Sequence, residues 1–284
     1  MKKTMSRRVA AITAAAATAA TTILTGGIAQ AWTPFTPNYV AFGDSFPANP
    51  GPEDNTLEGS WTGCPQGNTN VSRQVGHKLN LQIHDFTCNG TTAYVPTDPV
   101  KNLNAQVDDA LARNAINHET KLVTFFVGAN DSMQAFWAPG ALQDEGFNAA
   151  MTGAIRKVQQ RIPSARIMVV GYPEFTSRSA LDGHYACPIN AYGFAPQIPA
   201  APLHQIEMAT QARQQRAANE TGAGFVNMKD IANINMAMCG RDGERMVSAI
   251  LDSDVASYNM TNHLTHRGST VFSDVIANVY WGSF

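Results

Sequence analysis

Charge is scarce in this 284-residue chain: Asp, Glu, Lys and Arg together make up 15% of it. The formal net charge is −2 and the pI about 6.4. Without a basic excess there is no electrostatic footprint for nucleic acid or for an anionic membrane surface, and neither is expected as a partner. A surface poor in charge leans on Asn, Gln, Thr and Ser, which suits an exported protein. Cysteine is sparse too. Cys64, Cys88, Cys187 and Cys239 form no C-x-x-C pair, which argues against a zinc site or a dithiol redox motif. Beyond the N-terminus no apolar run is long enough to span a bilayer. Internal repeats and a domain linker are also missing, which leaves one α/β domain of ordinary size over residues 32–284.

The N-terminus is richer in signal. Lys2, Lys3, Arg7 and Arg8 form a basic region, residues 9–24 are uncharged and rich in Ala, Thr and Ile, and Ala29-Gln30-Ala31 is a small-x-small cleavage site. Residues 1–31 therefore read as a secretory signal peptide cut before Trp32. The apolar run is too short and threonine-rich for a retained anchor. Arg7-Arg8 after Ser6 has a loose likeness to a twin-arginine signal. The expected location is outside the cell or in its envelope. In that oxidising setting the four cysteines should form two disulfides. Of three possible pairings, Cys64–Cys88 and Cys187–Cys239 are favoured because each closes a local loop. Each would add roughly 3–4 kcal/mol by restricting the unfolded chain.

The rest of the chain alternates short apolar runs with amphipathic segments. Residues 40–42 read as a buried strand that Gly43 breaks, followed by Asp44 and Ser45. Residues 81–87 form a second strand ending at Cys88-Asn89-Gly90-Thr91-Thr92. Residues 122–127 are the clearest buried strand and stop at Gly128-Ala129-Asn130-Asp131. Residues 167–170, ending at Gly171-Tyr172-Pro173, and residues 224–228 supply two more. Helical patterns cover 71–79, 103–114, 147–161, 204–221 and 269–280. Residues 48–70, 175–202 and 229–262 read as irregular. Alternation of this kind predicts a three-layer α/β/α sandwich around a parallel sheet of about five strands.

Three strand ends share one signature, an apolar run followed by a small residue and then polar groups. They are Ser45, Asn89-Gly90 and Asn130-Asp131. In a parallel sheet they point the same way and gather at the edge where such sheets bind ligands. Taken singly, each is ordinary turn chemistry. Gathered, they offer a nucleophile, and a helix starting after it would aim backbone N–H groups at an anion formed there.

These blocks, with a late histidine, occur in the order of the GDSL/SGNH hydrolases, a family named for Ser, Gly, Asn and His. The chain most resembles the secreted, disulfide-bonded actinobacterial lipases and esterases, which share its Thr-Cys-x-Gly-x-Thr block. The resemblance spans nearly all of the chain beyond the signal peptide and implies the SGNH, flavodoxin-like version of the sandwich. It implies Ser45 as nucleophile, with an oxyanion hole made by the N–H of Ser45, the N–H of Gly90 and the Asn130 side chain. Asn130 could instead cap the helix that follows. The family's late block selects His263 as base, because Gly268 lies five residues beyond it and an apolar helical pattern follows; His266 is the alternative. Where the family has an aspartate three residues before the histidine, this chain has Met260. The expectation is that a main-chain carbonyl near Met260 orients His263, with Asp252 and Asp254 as alternatives.

The resemblance implies hydrolysis of a small-molecule, lipid or glycan ester through an acyl-enzyme, by a monomer without metal or cofactor. Acyl transfer at the same site, or a binding protein on a hydrolase fold, are the alternatives. The 175–202 loop with Phe136, Trp137, Tyr185, Tyr192 and Phe194 either lines an acyl or leaving-group pocket or simply packs the loop.

Overall fold

A computed structural model describes residues 38–135, 138–178, 183–229, 237–254 and 257–282. The expected signal peptide, Phe136 and Trp137 lie outside these residues. In chain order the first elements are β1 (Asn38–Gly43), α1 (Ser45–Ala48), α2 (Val71–Leu79), β2 (Gln82–Asp85), α3 (Leu103–Ala112), β3 (Thr120–Phe126), α4 (Ala129–Gln134), α5 (Gly140–Arg161) and β4 (Arg166–Val170). Then come β5 (Ser177–Arg178), β6 (His184–Ala186), β7 (Ile189–Asn190), β8 (Ile198–Pro199), α6 (Ala201–Thr221), β9 (Gly224–Val226), β10 (Leu251–Asp252) and α7 (His266–Trp281).

Five strands make the central sheet in the order β2-β1-β3-β4-β9, and every neighbouring pair is parallel. Side chains alternate across it with the period of two that a strand imposes. Val40, Phe42, Val123, Phe125 and Val169 bury one face against Leu103 and Val107 of α3, Phe147 and Met151 of α5 and Ala217 of α6. Tyr39, Ala41, Leu122, Phe126 and Met168 bury the other face against Val71 and Val75 of α2 and Phe272 and Ile276 of α7. Each such large apolar side chain contributes roughly 1.5–3 kcal/mol by leaving water. Because α2 and α3 cover opposite faces, the chain leaves β1 in one direction and reaches β3 from the other. The sheet therefore has its switch point between β1 and β3, and a crevice opens beyond their carboxyl ends.

Caps explain where the helices begin. Asn70 accepts from Arg73 N at 2.8 Å to start α2, and Thr265 accepts from Gly268 N at 3.0 Å to start α7. The last helix thus begins at His266, three residues before the expected start. Helices α5 and α6 also begin earlier than their apolar patterns do. Two short helices stand where the sequence allowed one, at Ser45 and at Asn130: α1, directly after β1, and α4, directly after β3. Gly128 caps α4 at φ +133, and a Cβ there would lie 2.9 Å from Phe147 Cε2. Within the stretches read as irregular, β5, β6 and β8 form a small antiparallel sheet, and β7 pairs with β10. Cys64 is bonded to Cys88 and Cys187 to Cys239. Among the described residues no helix is long and apolar enough to cross a membrane.

Candidate active site

Ser45 is the first residue of α1, at the carboxyl end of β1, and is 8% exposed. Gly43 allows the turn to close: a Cβ there would meet Phe126 O at 2.5 Å. Asp44 caps α1 by accepting from Phe46 N at 2.9 Å. As a first helical residue Ser45 has an N–H with no acceptor inside its own helix.

His263 meets this serine from the far end of the chain. Its Nε2 lies 2.7 Å from Ser45 Oγ, and its Nδ1 lies 2.8 Å from the Thr261 carbonyl oxygen. A carbonyl can only accept, so Nδ1 carries the proton and Nε2 is free to take one from the serine hydroxyl. The ring also stacks on Phe46, centroid to centroid 4.5 Å. Burial pushes the His263 pKa down to about 4, against the smaller upward pull of the Thr261 carbonyl. This replaces the ordinary value near 6.5 assumed for an unperturbed histidine.

The orienting atom is a main-chain carbonyl near Met260, as expected, but it belongs to Thr261 and not to Met260 itself. The Met260 carbonyl accepts instead from Ser248 Oγ at 3.1 Å and Asn259 Nδ2 at 2.7 Å. Neither aspartate alternative reaches the ring. Asp252 is held by Arg245, whose Nε donates to it at 3.0 Å, and by Ala249 N at 2.6 Å. Asp254 accepts from Gly243 N at 2.6 Å. His266 starts α7 and faces the Tyr258 ring edge-on, in a separate polar depression with Arg73 and Lys78.

Of the other two strand ends, Asn130 shares a cavity with Ser45, and the Gly90 loop runs beside the end of β1. Cys88 N donates to Gly43 O at 3.0 Å, which seats the Gly90 loop beside β1. Gly90 has φ +82, so glycine is favoured there by conformation; a Cβ would touch nothing closer than Lys101 Cδ at 3.7 Å. Asn130 caps nothing. Its Nδ2 donates one hydrogen to Thr91 O at 3.0 Å, and the second is available toward the cavity it lines. Asp131, 1% exposed, accepts from Ala93, Tyr94 and Val95 N at 2.8–3.1 Å and so ties the loop after Gly90 to α4.

A cavity of about 210 Å³ opens beside Ser45, Asn130 and His263. Its walls are Phe46, Met133, Tyr172, Phe175 and a stripe of α6. The stripe is Leu203, Ile206, Glu207 and Thr210, spaced as one helix face requires. Glu207 is buried and fixes the wall: its carboxylate accepts from Phe175 N at 3.1 Å, Thr176 N at 3.0 Å and Thr176 Oγ1 at 3.1 Å. Burial raises the Glu207 pKa. Tyr185, Tyr192 and Phe194 do not line this cavity; Tyr192 is 95% exposed. Sequence reasoning missed Tyr172 and Glu207. Tyr172 could have been found by carrying the strand-end rule on to β4, and Glu207 by its place on an otherwise apolar helix face. Among the described residues no group of three or more His, Cys, Asp or Glu side chains is disposed to hold a metal ion.

A hydroxyl and an imidazole paired at the switch point of a five-stranded parallel sheet, with amide donors on the neighbouring strand ends, is the layout of the SGNH-type α/β/α hydrolases. The chain belongs to the GDSL-like lipase/acylhydrolase family, whose sequence model matches residues 41–271, and is a carboxylic ester hydrolase. It is 28% identical over 244 residues to Lipase 2 of Streptomyces coelicolor, covering 75% of this chain and 77% of that protein. Its fold resembles that of an extracellular lipase from Streptomyces rimosus, with TM-score 0.60 and 17% identity over 84% of this chain and 97% of the other. Phospholipase A1 from Streptomyces albidoflavus is similar at TM-score 0.54 and 18% identity, over 85% and 98% of the two chains.

Proposed function

We propose that this protein is a secreted serine esterase that cleaves esters of apolar acyl groups through an acyl-enzyme. The observation that carries the reading is the 2.7 Å contact between Ser45 Oγ and His263 Nε2. His263 takes the serine proton as Oγ attacks the ester carbonyl. The oxyanion is held by the N–H groups of Ser45 and Gly90 and by the Asn130 amide. When the tetrahedral species collapses, His263 gives its proton to the departing alcohol and the acyl group stays on Ser45. Water then attacks that ester as His263 takes its proton, and His263 returns the proton to Ser45 Oγ as the carboxylic acid leaves. The Thr261 carbonyl keeps the tautomer correct in place of a carboxylate, which favours an active enzyme over a binding protein on the same fold.

The apolar cavity beside Ser45 suits the acyl chain. The lipase and phospholipase among the similar proteins agree with a lipid ester. Secretion is supported by the signal-like residues 1–31, by the two disulfides and by the extracellular relative. The test is labelling with a fluorophosphonate probe alongside a chain-length series of nitrophenyl esters. Labelling and hydrolysis should both vanish in Ser45→Ala while the melting temperature holds, and wild type should prefer longer chains to acetate. A Ser45→Ala variant that keeps more than about a tenth of the rate would remove Ser45 as nucleophile; typical losses are several orders of magnitude.

A further inference from the structure

One phenol is bonded to both halves of the site. Ala129 N donates to Tyr172 Oη at 3.1 Å, and Tyr172 Oη donates to Asp44 Oδ2. Asp44 Oδ1 accepts from Phe46 N at 2.9 Å. Asp44 immediately precedes Ser45, and Ala129 immediately precedes Asn130. Tyr172 is 5% exposed and Asp44 0%. The Tyr172 ring is held edge-on by Phe46 and Phe126, with centroids 5.1 and 4.9 Å away.

The donors fix where the protons sit. The phenol oxygen already accepts from Ala129, so its own hydrogen points at Asp44. Asp44 then takes one donor on each oxygen, the pattern of an ionised carboxylate. All dipoles in the N–H, O–H, carboxylate chain point the same way and reinforce one another. A protonated Asp44 would put a second hydrogen between Oδ2 and Oη and break the chain.

We propose that Tyr172 is a positioning residue for the reaction: through Asp44 and Ala129 it sets the separation of the Ser45 turn from the helix that carries Asn130. The proposal rests on the assignment of Ser45 and Asn130 given above. An error of about 1 Å in such a separation can cost about a hundredfold in rate.

Protonation of Asp44 gives the test a readout that packing alone would not move. Burial pushes Asp44 up to about 7, and the Tyr172 hydroxyl and Phe46 N–H pull it back down. The buried Asp131 carboxylate also faces Asp44 and Tyr172 and raises both, and Lys229 Nζ donates to the Tyr172 carbonyl at 3.2 Å. His263, neutral down to about 4, stands on the Ser45 side.

The experiment measures kcat, KM and the pH profile of kcat/KM on nitrophenyl esters. Wild type should lose activity on the acid side with a midpoint near 7, as Asp44 takes its proton. Tyr172→Phe keeps the ring and removes one donor to the carboxylate. Its kcat should fall about tenfold to a hundredfold, with KM within about twofold, and its acid limb should move to higher pH. Asp44→Asn has no carboxyl to titrate, so its limb should move down toward the His263 value while kcat falls. Opposite shifts in the two variants support the proposal. A Tyr172→Phe enzyme with wild-type kcat and limb, or two limbs moving the same way, overturns it. If wild type fails to label with the fluorophosphonate, the assignment of Ser45 has failed instead.

Discussion

Asn130 shows how one side chain can serve two masters. One amide hydrogen goes to Thr91 O at 3.0 Å, and in the proposed reaction the other would meet a charge that exists only while an ester is reacting. Such a donor contributes little to substrate affinity and much to the barrier. Asn130→Ala should therefore lower kcat by roughly 10²–10³ with KM nearly unchanged. Steady-state kinetics with a melting curve check this; an effect confined to KM or to stability would make Asn130 structural. The asparagine was legible because a Gly-Ala-Asn-Asp block ends the most apolar strand in the chain. The acceptor for His263 was legible only to within one residue. A main-chain carbonyl has no letter of its own, and its direction depends on the turn. Asn262 sits at φ +61, and that left-handed step brings the Thr261 carbonyl, two residues back, against Nδ1. The low His263 pKa was not legible either, since burial comes from Phe46 and the cavity walls, which are distant in sequence.

At the level of elements, the segment from Arg245 to Thr265 acts as one mount for His263. Ser248 N donates to His263 O at 2.8 Å, Thr265 N to Met246 O at 2.9 Å, and Thr265 Oγ1 to Arg245 O at 2.8 Å. Beneath it, the Arg245 and Asp252 side chains form an ion pair with both partners at 0% exposure. Removing one charge of a buried pair leaves the other uncompensated, at about 3–5 kcal/mol. Asp242, 2.6 Å from Arg245 Nη1, offsets part of that and places the loss at the low end. Asp252→Asn should thus lower Tm by about 6–12 °C for a chain of this size. Measured where the variant is still folded, its kcat should stay within about tenfold of wild type. A collapse of kcat at unchanged Tm would make Asp252 the histidine's partner after all. The sequence showed the five sheet strands and five of the helices because they carry the two- or 3.6-residue period over several turns. The pairs β5–β6 and β7–β10 are two or three residues long and set by contacts across the chain, so no local pattern announces them. Helices α5 and α6 read short because Gly140 opens the one and Pro202 lies in the first turn of the other, residues that read as loop.

For the molecule as a whole, ionisable groups of both kinds are shifted by burial, and they pull stability in opposite directions with pH. Burial raises Asp44, Asp85, Asp131 and Glu207. Each holds its proton in the folded state at pH values where the unfolded chain, with carboxyl pKa values of about 4, has lost it. The folded state binds more protons there, so these groups make stability fall as pH rises above about 4. Burial lowers His84, His184, His204 and His263. Each is neutral in the folded state while the unfolded histidine, with a pKa of about 6.5, is still charged. Here the unfolded state binds more protons, so stability rises with pH up to about 6.5 and is lost as pH falls back through that window. Asp44, raised to about 7, and His263, lowered to about 4, oppose one another across the window from about pH 4 to 6.5, each proton counting about 1.4 kcal/mol per pH unit. Single variants expose the balance. Without the Asp44 carboxyl, Asp44→Asn should give a Tm that climbs with pH between about 4 and 6.5. Without the His263 imidazole, His263→Ala should give one that declines over the same range. Two variants whose curves tilt the same way relative to wild type would show that Asp44 and His263 do not sit in the folded protein as protonated acid and neutral base. Because Asp44 adjoins Ser45 in the chain and His263 touches it, the same pair of curves also reports the protonation states on which the proposed reaction would depend.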